Sequence, residues 1–231
     1  MRALITGANR GIGLEMAAHL ARRGDVVFAG CRTPKTADDL HVLAERYPGH
    51  VHIVTLDVAD EASIAASVGQ VAAHTDALDL LVNNAAIVNR EERLHTLTYE
   101  QIVATFSVNT FGPVLMFKHY HDLLKRGTRP VAVSITSEYS SLTDKQDGDL
   151  YMYCASKAAL NMFTRTFAFD VAQDGIIAFI IDPGWVRTRM GGADADLSTD
   201  ETVTGMLRLI DNATPADRGA CYRWNGDTLA W

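Results

Sequence analysis

Tyr153 and Lys157 stand four residues apart in the run Tyr151-Met152-Tyr153-Cys154-Ala155-Ser156-Lys157, a stretch that reads as a helix. That spacing puts a phenol and an ammonium on one face, one turn apart. A free phenol has a pKa of about 10 and exchanges protons poorly at neutral pH. A nearby cation favours the phenolate, so the pair predicts a lowered tyrosine pKa and a usable acid or base. Tyr139 and Tyr151 are rival phenols, but Thr143 and Ala155 stand where a lysine would have to follow them. Cys154 lies about 100° around the helix from Tyr153 and reads as a packing residue rather than a nucleophile.

A second constellation opens the chain. Thr6-Gly7-Ala8-Asn9-Arg10-Gly11-Ile12-Gly13 falls between a short apolar run and an amphipathic stretch of helical length. Glycines in such a turn let backbone N–H groups approach a pyrophosphate, and the helix N-terminus favours the negative charge. The spacing is Gly-x-x-x-Gly-x-Gly, not the common dinucleotide Gly-x-Gly-x-x-Gly. A nucleotide cradle together with a tunable phenol points to redox chemistry.

The elements that must hold these groups alternate along the chain. Apolar, β-rich runs at 2–5, 26–29, 52–56, 78–82, 131–135, 176–181 and 220–224 predict strands, several of them buried on both faces. Helices are predicted at 12–23, 36–47, 61–75, 98–126, 151–174 and 199–212. Thr98 with Gln101, and Ser198 with Glu201, form the pattern of a capping box at two of the starts. Gly112-Pro113 should kink or break the long helix at 98–126. Strict β/α alternation predicts an α/β fold: a Rossmann-like, doubly wound parallel sheet of about seven strands with helices on both faces. No repeat or linker interrupts it, so residues 1–231 are expected to form a single dinucleotide-binding and catalytic domain.

Composition narrows the partners. Charged residues make up 21% and apolar residues 48% of 231, with a net charge of −7, which argues against nucleic acid or an anionic membrane surface. No run of roughly 18 apolar residues exists to span a bilayer. Met1 leads almost directly into the glycine loop, which leaves no room for a signal peptide, and three scattered cysteines suit reduced thiols. A cytoplasmic protein is expected.

Taken in order, the motifs resemble those of the short-chain dehydrogenase/reductases over essentially the whole chain. They are Thr6-Gly7-x-x-x-Gly11-x-Gly13, Asp57-Val58, Asn83-Asn84-Ala85, Asn109, Ser137, Tyr153-x-x-x-Lys157 and Pro183-Gly184. The tail from Pro183-Gly184-Trp185-Val186 to Trp231 most resembles the C-factor and sniffer-type carbonyl reductase subgroup. Two departures stand out: Ala86 replaces the usual fourth glycine of Asn-Asn-Ala-Gly, and Tyr153 follows Ser137 at a longer spacing than usual.

The resemblance implies roles. Ser137 would polarise a substrate carbonyl, Tyr153 would deliver or accept the proton, and Lys157 would lower the Tyr153 pKa and hold the nicotinamide ribose. Asn109 would bind a water linking Lys157 to solvent. Cofactor contacts are implied at Gly7, Asn9, Arg10, Gly11, Ile12, Gly13, Arg32, Asp57, Val58, Asn84, Ala85, Tyr153, Lys157, Pro183, Gly184, Val186 and Thr188. Relatives that prefer NAD carry an acid where Cys31 stands; with Arg32 next and Arg10 in the loop, NADP(H) is expected over NAD(H). Tyr139, Trp185 and Met190 are expected to line an apolar pocket for bulky ketones or aldehydes.

The segment 188–197, rich in short residues, is expected to be a mobile lid. Self-association into a dimer or tetramer is expected through the helices at 98–126 and 151–174, where Met162, Phe163, Phe167 and Phe169 spread over more than one face. Against these readings stand a metallohydrolase, for which His119 and His121 point apart on a helix and no zinc-site spacing exists, and a serine hydrolase, for which no Gly-x-Ser-x-Gly elbow exists. No metal site is expected. The stronger rival is a C-factor-like regulatory or signalling protein that binds NAD(P) with little turnover.

Overall fold

The computed structural model describes residues 1–231. Seven strands, β1 (Arg2–Thr6), β2 (Val26–Cys31), β3 (Val51–Thr55), β4 (Leu80–Asn83), β5 (Val131–Ile135), β6 (Ile177–Asp182) and β7 (Cys221–Arg223), pair in the order β3-β2-β1-β4-β5-β6-β7. Every pairing is parallel. The chain reverses its direction of winding between β1 and β4, so the carboxyl ends of those two strands flank the crevice where ligands bind in such sheets.

The strands read as unbroken apolar runs because each side of the sheet is covered. On one face Ile5, Val27, Val82, Val133 and Phe179 meet α1 (Gly11–Arg22), α2 (Asp38–Arg46) and α7 (Thr199–Asp211) through Met16, Leu20, Leu40, Val203 and Met206. On the other, Leu4, Phe28, Leu81 and Ala178 meet α3 (Glu61–Ala72), α5 (Gly112–Lys125) and α6 (Tyr151–Asp170) through Ile64, Met116, Tyr120 and Ala168. The apolar stripe of α7, with Val203, Met206, Leu207 and Ile210 all buried, is the period-3.6 pattern put to use.

Both expected capping boxes form: Thr98 caps α4 (Tyr99–Phe106) with Gln101 reaching back, and Ser198 caps α7 with Glu201. The long helix expected at 98–126 is not continuous. A π-helical turn, Ser107–Phe111, separates α4 from α5 and lies just ahead of Gly112-Pro113. Pro113 supplies no N–H to the turn before it. Gly112 is demanded by packing, since a Cβ there would come 2.5 Å from the Val58 carbonyl oxygen. The wider turn presents Asn109 to the interior.

Candidate active site

Every segment singled out for chemistry leaves the sheet at one edge, the carboxyl ends of β1 to β6. Gly7 and Gly11 take left-handed backbone, φ 64° and 55°, which lets the loop after β1 fold back before α1. Gly13 lies so close to the loop that a Cβ would sit 2.5 Å from the Gly7 oxygen and 2.6 Å from Asn84 Nδ2. The N-terminus of α1 has neither a capping side chain nor an acidic residue in its first turn. Helices α3, α4 and α7, by contrast, are capped by Asp60, Thr98 and Ser198. Free N–H groups with no competing carboxylate are what a pyrophosphate requires, so these residues fit a dinucleotide.

Asn84 and Ala85 brace that loop. Asn84 Nδ2 donates to the Thr6 oxygen (2.8 Å), and the Asn84 and Ala85 amides both donate to Thr6 Oγ1 (2.9 and 3.0 Å). Asp57 closes the turn after β3 by accepting from the Ala59 amide, and Val58 is buried against Gly112. Asn9 and Ile12 are half-buried beside the glycines, while Arg10 and Arg32 are exposed at the ends of the loop and of β2. Cys31, where an NAD-selective acid would stand, is packed in the core.

The reacting groups gather between β5, β6 and α6. Lys157 is 2% exposed, and its Nζ donates to the Ile135 oxygen at 2.6 Å. Burial brings its pKa down to about 8 against the opposing pull of Asp182. Its ammonium lies 5.9 Å from the centre of the Tyr153 ring. The lowered tyrosine pKa expected from the helical spacing does not occur: Tyr153 is pushed up to about 12. Burial is the main cause and the Asp182 charge adds to it, while a hydrogen bond with Ser137 and the charge of Arg90 oppose them. The spacing was right, but desolvation outweighs the cation, whose ammonium is turned to a backbone carbonyl. Ser137 also accepts from the Tyr139 amide (3.3 Å), and the Tyr139 ring meets Tyr153 edge-on at 6.5 Å.

Asn109 is fully buried, and its carboxamide joins Ile87 N (2.8 Å), Ile87 O (2.9 Å) and Ser156 Oγ (3.0 Å). It clamps the loop after β4 to α6, with no hydrogen bond of its own to Lys157. Ser156, on the face of α6 beside Lys157, could have flagged this contact in the sequence, but only with knowledge of the π turn.

After β6, Pro183 is buried and Gly184 (φ 74°) packs against Leu197 and Trp224. The segment expected to be a poorly pinned lid is stitched down. Val186 bridges to Leu197, Arg187 N donates to the Leu197 oxygen (2.8 Å), and the Arg187 side chain reaches the Ala195 and Asp196 oxygens. The Thr188 hydroxyl accepts from Gly191 N at 3.0 Å, while its methyl lies over Gly11. Backbone hydrogen bonds do the pinning that apolar side chains could not, a pairing invisible to composition. Trp185 Nε1 is held by the Gly191 oxygen (2.8 Å), and Arg90, from the loop after β4, donates to the Met190 oxygen (2.6 Å). Trp185 and Met190 are thus exposed at the mouth, with Arg90 crossing from the opposite side.

Two residues escaped the sequence reading. Asp182, the last residue of β6, is 2% exposed, and its Oδ2 makes no hydrogen bond and lies 3.6 Å from Arg223 Nη1. Arg90 is the other. The histidines behave as the helix geometry required: His119 pairs with Glu61 and His121 with Asp174.

This arrangement is a known one. A family model described as short chain dehydrogenase matches residues 1–197. The NADPH-bound carbonyl reductase from chicken fatty liver superposes with a TM-score of 0.94 at 36% identity, covering 100% of this chain and 98% of that one. The carbonyl reductase Sniffer of D. melanogaster gives 0.95 at 28% identity, covering 100% and 99%. The C-signal protein of Myxococcus xanthus is 35% identical over 157 residues, 68% of this chain and 95% of that protein. With the sheet order, the glycine loop and the Ser-Tyr-Lys group in place, the chain belongs to the short chain dehydrogenase family.

Proposed function

We propose that this protein is an NADP-dependent carbonyl reductase, interconverting a ketone or aldehyde and its alcohol, with residues 1–231 acting as one unit. The observation that carries this is the meeting of Ser137, Tyr153 and Lys157 at the sheet edge that also holds the glycine loop. Bound NADPH supplies the hydride. Ser137, on the turn after β5, directs a donor at the carbonyl oxygen, and the phenol of Tyr153 shares that site. Tyr153 gives up its proton as the oxygen becomes an alkoxide. With its pKa raised, the phenol is fully protonated at neutral pH, and an alkoxide is basic enough to take the proton. Lys157 holds positive charge beneath the ring, and Tyr139, Trp185 and Met190 offer apolar surface to a bulky substrate.

The preference for NADP(H) over NAD(H) rests on Arg10 and Arg32 at the adenosine end and on the burial of Cys31. The chicken reductase is an NADPH complex. Arg32→Ala is expected to raise the Michaelis constant for NADPH roughly 10- to 150-fold and to leave that for NADH nearly unchanged. Equal losses with both would remove the 2′-phosphate role. Three free thiols suit a reducing compartment, consistent with a cytoplasmic enzyme. The exposed Phe111, Met162, Phe163 and Phe169 suit a homodimer or homotetramer.

Likeness to the C-signal protein sustains a second reading, a nucleotide-binding regulator with little turnover. Absorbance of reduced nicotinamide during incubation with ketones and aldehydes separates the two. Carbonyl-dependent loss of NADPH is expected, and tight NADPH binding without turnover on any carbonyl would favour the regulator.

A further inference from the structure

In a chain of net charge −7, the turn that carries Arg189 rests on the glycine loop that carries Arg10. The arginines that find acidic partners are Arg2, Arg23, Arg187 and Arg223; Arg10, Arg32 and Arg189 are not among them. Arg10 and Arg32 flank the glycine loop, but Arg189 comes from the segment after β6, far away in sequence. What brings it there is Thr188. That residue's methyl lies 3.3 Å from where a Cβ on Gly11 would be, so the turn is seated on the start of α1. Gly191 N and Gly192 N hold Thr188 through its hydroxyl and its carbonyl (3.0 and 2.9 Å), so the root of the Arg189 side chain is fixed. The side chain itself is exposed and engaged by nothing in the protein.

We propose that Arg189 is a third cofactor-binding cation, which engages a phosphate of the bound nucleotide together with Arg10 and so ties the substrate-side loop to the cofactor. This rests on the NADP-dependent reading above. Cations on two turns that pack against each other repel unless an anion joins them, and a phosphate monoester or diphosphate offers oxygens in the geometry a guanidinium fork accepts. The electrostatics agree with the geometry: burial first, then Arg189, then Arg32, hold Arg10 below the ordinary arginine range. Arg189 is followed directly by Met190, whose carbonyl is held by Arg90 across the mouth. Phosphate binding at Arg189 would therefore set the position of the backbone that lines the substrate.

Isothermal titration of the wild type, Arg189→Ala, Arg189→Lys and Arg32→Ala with NADPH, NADH, 2′-AMP and ADP tests this without any turnover. Arg189→Ala should weaken NADPH roughly 10- to 150-fold, with Arg189→Lys between it and the wild type. A loss shared by 2′-AMP and spared in NADH assigns the contact to the 2′-phosphate. A loss shared by NADH and ADP assigns it to the diphosphate. Wild-type affinity of Arg189→Ala for both NADPH and NADH overturns the proposal, and if Arg32→Ala still weakens NADPH the cofactor reading survives. A wild type that binds NADPH no more tightly than NADH would count against that reading itself. An unchanged melting temperature for Arg189→Ala, expected of an exposed and unpaired side chain, excludes misfolding as the cause.

Discussion

With its pKa brought down to about 8, Lys157 changes charge inside the working range of an enzyme, whereas Tyr153, pushed up to about 12, stays protonated throughout it. Lys157 is cationic below its folded-state value and neutral above it. Carbonyl reduction should therefore fall as pH rises through about 8, and the limb belonging to tyrosine, the acid in this direction, lies further up the alkaline side at about 12. Asp182 favours the charged form of Lys157, so Asp182→Asn should move that alkaline limb to lower pH, measured as kcat/KM against pH. A limb that does not move would remove Asp182 from the electrostatics of the site. The Tyr-Lys pair was legible because helical spacing is local. The direction of the tyrosine shift was not, because it depends on burial and on a carboxylate that β6 delivers from elsewhere in the chain.

At the scale of elements, two glycines in helices separate packing from propensity. Gly69 lies within α3 with nothing within 4 Å of a Cβ, so Gly69→Ala should stabilise the protein by about 0.5–1 kcal/mol. Gly112 opens α5 directly against the Val58 oxygen, so Gly112→Ala must displace the loop after β3 or the π turn. Denaturant midpoints should move in opposite directions for the two, and stabilisation of both would mean that Val58 does not press on α5. The loop after β6 gives a further test. Because Arg187 is held by its amide and its guanidinium, trypsin should cut there slowly even without nucleotide. Rapid cleavage in the absence of nucleotide would restore the picture of a loose lid. Strands and caps were readable from apolar runs and from Thr98 and Ser198, since those signals lie within the element. The π turn was not, because Gly112 answers to Val58, far away in sequence, and the stitched loop was not, because its bonds join backbone groups that leave no side-chain pattern.

Across the whole molecule, one sheet carries the glycine loop on β1 and the Ser137, Tyr153 and Lys157 group beside β5 and β6, and the two large core clusters cover its two faces. Helix α6 also leaves apolar side chains open. Phe167 stacks on Phe117 at 4.1 Å toward the core, but Met162, Phe163 and Phe169 remain exposed. Light scattering at micromolar concentration should give a multiple of 25.2 kDa, and Phe163→Glu should shift it toward the monomer. A monomeric wild type would contradict self-association. The doubly wound parallel sheet of about seven strands followed from strict alternation of strands and helices, whereas the strand order and the faces left open could be seen only in the packed molecule. The central claim is that Tyr153 hands a proton to a carbonyl oxygen, and the most direct test is NADPH-dependent turnover of a responsive carbonyl by Tyr153→Phe, with NADPH affinity measured on the same sample. Turnover should fall about 10²- to 10⁴-fold while NADPH affinity and melting temperature hold. Turnover that survives in Tyr153→Phe but is lost in Tyr151→Phe would contradict the account.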